Sequence, residues 1–236
     1  KPGPIASAPW YFSMLKNALL SVPANKLVAG IPNYAYDWTE NKSPAAALSF
    51  QSALVQARDF REGEPKDIVD FDPDSLNSTF TYVDDSGANH TIWMTDGVTA
   101  YNQWLINRKL NLRGGALWVL GDEDPSLWSF WNRNDSDELL PPSELNQILF
   151  PYEVEFEGKG EILTVESTPQ EGSRNISVDP QTGFITDMEF NHFPSSYVIR
   201  RSGFIPKTVA LTFDDGPSPI YTPLILDILK KNINQS

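Results

Sequence analysis

Three short stretches hold the residues whose types and spacing could do chemistry. The first is Gly114-Gly115-Ala116-Leu117-Trp118-Val119-Leu120-Gly121-Asp122-Glu123-Asp124. It is too short and too apolar for a surface helix and is bounded by turn formers, so it reads as a buried strand ending at a polar rim. Trp118 falls near the strand exit, where α/β barrels place active-site groups. An indole there is either a core filler or a platform for a sugar ring, whose apolar C–H face stacks on an aromatic plane. The second stretch, Gly30-Ile31-Pro32-Asn33-Tyr34-Ala35-Tyr36-Asp37-Trp38, carries three aromatics out of a strand end. Alternation points Tyr34 and Tyr36 one way and leaves Asn33 and Ala35 opposite. Tyr34, Tyr36 and Trp38 either line the same cleft as Trp118 or pack beneath a neighbouring sheet. The third is Asp214-Asp215, at the end of the apolar run Val209–Phe213. Adjacent carboxylates on a strand end face opposite sides, so one can coordinate a cation while the other handles protons. The alternative is an Asp-Gly-Pro turn.

Other acids read more plainly. Asp122, Glu123 and Asp124 precede Pro125 and suit a helix N-terminus, where the dipole favours negative charge. Asp67, Asp70, Asp72 and Asp74 lack the glycine-centred spacing of a calcium loop and read as a solvated face. His90 and His192 read as structural, and Trp93 as part of a sheet core or, alternatively, as a wall of the groove.

The elements that must position these residues follow from periodicity. Ser7 with Pro9 opens a helix whose Tyr11, Met14, Leu15, Ala18, Leu19 and Val22 share a face, and Pro23 stops it. Lys26–Ile31 reads as a strand, and a second helix from about Pro44 buries Phe50, Ala53, Leu54 and Ala57. Asp67–Phe71, Thr79–Val83 and His90–Met94 read as short strands, with Asp84-Asp85-Ser86-Gly87 as a hairpin turn. Gly97–Leu112 returns to helix with Val98, Tyr101, Leu105 and Leu112 inward, and a short helix follows at Pro125–Trp131. An Asn, Asp, Ser, Glu and Pro-rich stretch to Pro142 marks a boundary. From Tyr152 to Ile199 the pattern is strands only: Tyr152–Phe156, Ile162–Val165, Asn175–Val178, Phe184–Phe190 and Tyr197–Arg200. Val209–Phe213 then reads as a strand and Tyr221-Thr222-Pro223 as the start of a last helix with Ile225, Ile228 and Leu229 on one face.

With 236 residues, 40% hydrophobic and 12% aromatic, the chain can bury a sizeable core in one or two domains. A net charge of −13 disfavours nucleic acid and anionic membrane surfaces and suits neutral or cationic ligands. There is no cysteine, hence no disulfide framework and no thiolate metal site. No apolar run in the sequence is long enough to span a bilayer. The opening Lys1-Pro2-Gly3-Pro4 and the close at Ser236 read as cuts through a longer protein.

Two families are resembled. Residues 1–132 are similar to the C-terminal part of glycoside hydrolase family 18 barrels. Gly30–Trp38 resembles their seventh strand and loop, Gly114–Trp118 their eighth, and residues 62–96 their small α+β insertion. Leu120–Pro125 resembles the Leu-Gly-x-Glu-Asp-Pro run of the bacterial cell-wall and spore-germination type. That likeness implies substrate-assisted hydrolysis, in which the N-acetyl carbonyl attacks the anomeric carbon and the protein supplies an acid and a shaped cavity. From residue 207 onward, Val209-Ala210-Leu211-Thr212-Phe213-Asp214-Asp215-Gly216-Pro217 resembles the first motif of the polysaccharide deacetylases of carbohydrate esterase family 4. That likeness implies Asp214 as general base and Asp215 as ligand of a divalent metal, zinc by family habit. Residues 133–206 form the linker and small β module between them.

Both sites are partial. The acidic string Asp-x-x-Asp-x-Asp-x-Glu of family 18 does not occur, and the deacetylases' His-x-x-x-His pair is absent, since His90 and His192 are far apart. The expectation is an α/β chain: part of a (β/α)8 barrel with its insertion, a β-rich module, and the first β-α unit of a deacetylase. The parent would be a bifunctional, extracytoplasmic enzyme on N-acetylglucosamine-containing polysaccharide, with this segment inactive alone and making no membrane contact. The rival expectation is a non-catalytic glycan-binding or structural cell-wall module.

Overall fold

The computed structural model describes residues 2–60, 63–133, 140–149, 154–209 and 211–232. In chain order the elements are α1 (Ala8–Ala18), β1 (Val28–Pro32), β2 (Ala35–Thr39), β3 (Ala46–Leu48), α2 (Phe50–Asp59), β4 (Asp70–Asp72), β5 (Asn77–Val83) and β6 (Asn89–Met94). Then come α3 (Gly97–Lys109), β7 (Gly114–Trp118), α4 (Trp128–Trp131), β8 (Gln147–Ile148), β9 (Val154–Gly158), β10 (Ile162–Ser167), β11 (Gly172–Val178), β12 (Ile185–His192), β13 (Tyr197–Ser202) and α5 (Tyr221–Asn232). The chain divides into two compact units, one of residues 1–157 with 165–199, the other of residues 158–164 with 200–236. Among the described residues no helix is long and apolar enough to cross a membrane.

In the first unit β1 and β7 pair in parallel, Val28 opposite Gly114 through Pro32 opposite Trp118. α3 connects the insertion to β7 and packs on both strands. This is a piece of barrel wall. The glycine pair that opens β7 has a steric reason at its second member: a Cβ on Gly115 would stand 3.0 Å from the Trp131 ring and 3.4 Å from the Asn107 amide. Between β1 and α3 lies a five-stranded antiparallel sheet in the order β3-β2-β6-β5-β4, with α2 beside it. Side-chain caps open the helices, at Ser7 as the sequence marks and at Ser49 and Asp96 besides. The Ser7 hydroxyl accepts from the Trp10 N–H, the Ser49 hydroxyl from Ser52, and the Asp96 carboxylate from Thr99. The Asp84–Gly87 turn forms, with Gly87 at φ +83° and its N–H donating to the Asp84 carbonyl. α2 begins later than Pro44 suggests, because Ala46–Leu48 pairs with β2 instead. Residues 65–67 form a short 3-10 turn and only Asp70–Asp72 pair as a strand.

α3 carries the largest correction within this unit. Its apolar positions suggest one inward stripe, yet Gly97 to Asn107 is buried all round. β1 and β7 cover one side, α1 another, and β12 of the small module a third. Its polar residues are therefore internal struts. Asn102 exchanges two hydrogen bonds with the Ile185 backbone, at 2.8 and 2.9 Å. Gln103 donates to the Ala6 carbonyl, and the Tyr11 hydroxyl donates to Asn107. Burial pushes the Tyr11 phenol up to about 12.

β8, β11 and β12 form an antiparallel sheet, β11 central, that belongs to this same unit. Its tie to the barrel piece is Arg174, whose side chain is wholly buried. The guanidinium donates to Asp96 at 3.2 Å, Asp124 at 2.9 Å and Ser126 at 3.0 Å, and its Nε to the Leu145 carbonyl at 2.6 Å. Asp124 also caps the turn at Pro125 through the Ser126 N–H and accepts from the Gly97 N–H. Burial pushes the Asp96 carboxyl up while the Arg174 charge pulls against it. β9, β10 and β13 make a separate three-stranded sheet, β13 central.

The expected strand Val209–Phe213 is not formed. Val209, Leu211 and Phe213 are in coil and 82, 70 and 57% exposed, and Ala210, like Tyr152 of another expected strand, lies outside the described residues. A continuous apolar strand needs a sheet neighbour on its hydrogen-bonding edges, and no described strand pairs with it. Only the helix of the expected β-α unit is present, as α5. Thr222, Ile225 and Leu229 are its less exposed positions, whereas Ile228 is exposed.

Candidate functional site

Trp118 is the last residue of β7, and its ring is not core: it is 72% exposed. The backbone around it is held from several sides. The Asn33 N–H donates to the Trp118 carbonyl at 3.0 Å and the Asn33 side-chain amide to the Val119 carbonyl at 2.5 Å. The Trp118–Val119 peptide is cis. Further along, the Gly121 N–H donates to Glu123, and the Phe50 N–H at the start of α2 donates to the Asp122 carbonyl.

β2 and the residue before it carry the aromatic row. Tyr34, Tyr36 and Trp38 stand half-buried on one face while Asn33, Ala35 and Asp37 are buried on the other, which is the alternation a strand imposes. The rings meet edge to face: Tyr34 and Tyr36 centroids are 5.3 Å apart at 79°, and Tyr36 and Trp38 6.1 Å apart at 69°. The two phenol oxygens are 3.5 Å apart, and burial together with this contact pushes the Tyr34 phenol up to about 12. Trp93 pairs directly with Tyr36 across β2 and β6, so its half-buried indole projects from the same face. Trp118 and the row are joined through Asn33, the first of the two residues between β1 and β2.

The opposite face of that sheet holds polar residues that single-residue reading left apart. His90 Nδ1 lies 2.8 Å from Asp37 and Nε2 3.3 Å from Asp84, and its ring stacks on Tyr82 at 4.5 Å. The Tyr82 hydroxyl reaches Asp37 and Gln56. Nearby Asp84, in the hairpin turn, is held well below the usual carboxylate range by hydrogen bonds from Ser86 and Ala88. A cleft of about 630 Å³, lined in part by Phe60, Thr81, Tyr82 and His90, runs along this region. Trp118 does not line it. His90 is thus a structural tie for the insertion.

Asp214 and Asp215 are exposed, in coil, with Asp215 at φ +57°. Among the described residues no group of three His, Asp or Glu side chains is placed to hold a metal ion. Two surface carboxylates by themselves do not match the three- or four-ligand set of a zinc site. The hydrogen-bonding partners of Asn33 and Arg174 were not legible in the sequence. Asn33 faces away from the aromatics, and nothing local to Arg174 announces two carboxylate partners 50 and 78 residues away in sequence.

No protein-family model matches the chain. It is 27% identical over 128 residues to an uncharacterized glycosylase, YvbX, of Bacillus subtilis (strain 168), covering 54% of this chain and 36% of that protein. Over 119 residues it is 32% identical to the cortical fragment-lytic enzyme of the same organism, covering 49% of this chain and 26% of the relative. The chain therefore spans about a third or less of the length of these curated relatives. The crystal structure of the spore cortex-lytic enzyme SleL of Bacillus megaterium QM B1551 matches with a TM-score of 0.50 and 26% identity, over 55% of this chain and 30% of that one. The fold and these likenesses define a class: part of a glycoside hydrolase family 18-like barrel joined to a small β module.

Proposed function

We propose that this chain is part of a glycosidase acting on N-acetylglucosamine-containing polysaccharide of the bacterial cell wall, outside the cytoplasm. The observation that carries the reading is an exposed indole, Trp118, on a strand exit tied by Asn33 to a row of three aromatics, Tyr34, Tyr36 and Trp38. Aromatic rings at a strand exit suit pyranose units, which offer C–H faces. Similarity to a cortical fragment-lytic enzyme and to a spore cortex-lytic enzyme supports the polymer class. In the family 18 pattern the substrate's own acetamide oxygen attacks the anomeric carbon as an acid protonates the departing glycosidic oxygen. This segment's share is to seat the sugar on Trp118. The acid is not among its matched motifs, so the segment by itself binds without cleaving.

Isothermal titration of chitotetraose against the wild-type chain and Trp118→Ala tests this. The expected result is a binding heat that the substitution removes. Equal, negligible heats in both would overturn the saccharide reading.

For the C-terminal residues the proposal is narrower and rests on the Val209–Pro217 motif alone. Asp214 as general base and Asp215 as one ligand of a divalent metal such as zinc would belong to a deacetylase site completed by groups other than the described residues. Zinc titration of this chain is expected to show no stoichiometric site, whereas tight one-to-one binding abolished by Asp215→Asn would show a ligand set we have not identified.

A further inference from the structure

We propose that Asn33 is a positioning residue for Trp118, fixing the two peptide units that follow the indole-bearing residue. This rests on the saccharide reading for its purpose, but its geometry stands separately. An aromatic platform works only if its plane is set before the ligand arrives, because ordering a mobile side chain on binding subtracts from affinity. Trp118 has little packing to set it. The ring is mostly exposed, and Val119 and Leu120 beyond it are exposed as well. No side chain of the exit segment is anchored in the core, so the direction of the Trp118 Cα–Cβ bond has to be fixed through the backbone.

Asn33 does this from a rigid seat. It is fully buried, at 0% exposure, immediately after Pro32, which is in register with Trp118 in the β1–β7 pair. Its N–H carries the parallel ladder one bond further, onto the Trp118 carbonyl, and its side-chain amide then takes the next carbonyl, that of Val119. One residue therefore clamps two consecutive peptide units. The side-chain Oδ1 is buried without a hydrogen-bond partner, so the hold exerted by this side chain passes through the amide N–H alone. A leucine, branched at the same carbon, would keep the backbone N–H while losing the second clamp.

The test uses the isotope-labelled chain and two independent readouts. The Trp118 indole N–H resonance, identified by its loss in Trp118→Phe, is compared between wild type and Asn33→Leu. We expect it to shift or broaden while the indoles of the other tryptophans stay in place, and chitotetraose affinity to weaken about tenfold, the scale of one buried hydrogen bond. An unmoved Trp118 indole in Asn33→Leu overturns the proposal. Should Asn33→Leu fail to fold, the wild type decides: a scalar coupling across the hydrogen bond between the Asn33 side-chain nitrogen and the Val119 carbonyl carbon supports the clamp, and its absence overturns it. Failure of the wild type to bind chitotetraose overturns the saccharide reading instead, and the indole comparison still judges Asn33.

Discussion

Replacing Arg174 by methionine should unmask how much of the first unit depends on one buried cation. The side chain makes four hydrogen bonds, two of them to the buried carboxylates Asp96 and Asp124. Methionine fills most of the volume but leaves both carboxylates to their neutral donors, the Thr99 N–H and Ser78 hydroxyl for one, the Ser126 and Gly97 N–H groups for the other. Removing one partner of a buried ion pair costs about 3–5 kcal/mol, a large share of the ~5–15 kcal/mol typical of a domain. Without the guanidinium the Asp96 carboxyl, already raised by burial, rises further. Stability tied to a raised carboxyl is fully present below the ordinary carboxylate value and is lost as pH rises through the folded one. The deficit of Arg174→Met should therefore be smaller at pH 5 than at pH 8, by roughly 1 kcal/mol or more per unit of further rise. All seven tryptophans lie between Trp10 and Trp131, inside the first unit, so urea unfolding followed by tryptophan fluorescence reports on it. Adding Asp96→Asn and Asp124→Asn to Arg174→Met should recover part of the loss, since no buried charge is then left. A deficit under about 1 kcal/mol, or one equal at the two pH values, would refute the reasoning.

Three further outcomes follow from the same geometry. Gly97→Ala should destabilise by about 1–3 kcal/mol despite alanine's better helix propensity, because its Cβ would collide with Ser126 and stand 3.0 Å from Asp124 and 3.1 Å from Arg174; thermal unfolding measures it. Asp84 should titrate below the ordinary carboxylate value. Its depressed value places the stability it lends the hairpin above the ordinary carboxylate pKa, to be lost as pH falls toward the folded one. Carboxyl-carbon NMR shifts and amide exchange at Ser86 and Ala88 check this, and a normal Asp84 titration would contradict it. Tyr36→Ala removes the middle ring of the row and should weaken chitotetraose binding about three- to tenfold with little change in stability, the scale of one aromatic contact; unchanged affinity would take the row out of the sugar site.

What the sequence settled by itself was local. The hydroxyl cap at Ser7 starts its helix, the Asp84–Gly87 turn closes its hairpin, and alternation alone puts Tyr34, Tyr36 and Trp38 on one face. Each is fixed by backbone geometry over a few residues, so it survives whatever the rest of the chain does. Tertiary structure decided the rest. Asn102, Gln103 and Asn107 look like a solvent face of α3 until β12 and α1 are seen to cover them, and their amides then serve backbone groups and side chains far away in sequence. The apolar run Val209–Phe213 has the composition of a buried strand, but strand formation requires a neighbour's hydrogen bonds, and no described strand pairs with it. Arg174 shows the limit most clearly. A single arginine in a polar strand reads as surface, and only the meeting of Asp96, Asp124 and the Leu145 carbonyl around it makes burying a charge tolerable.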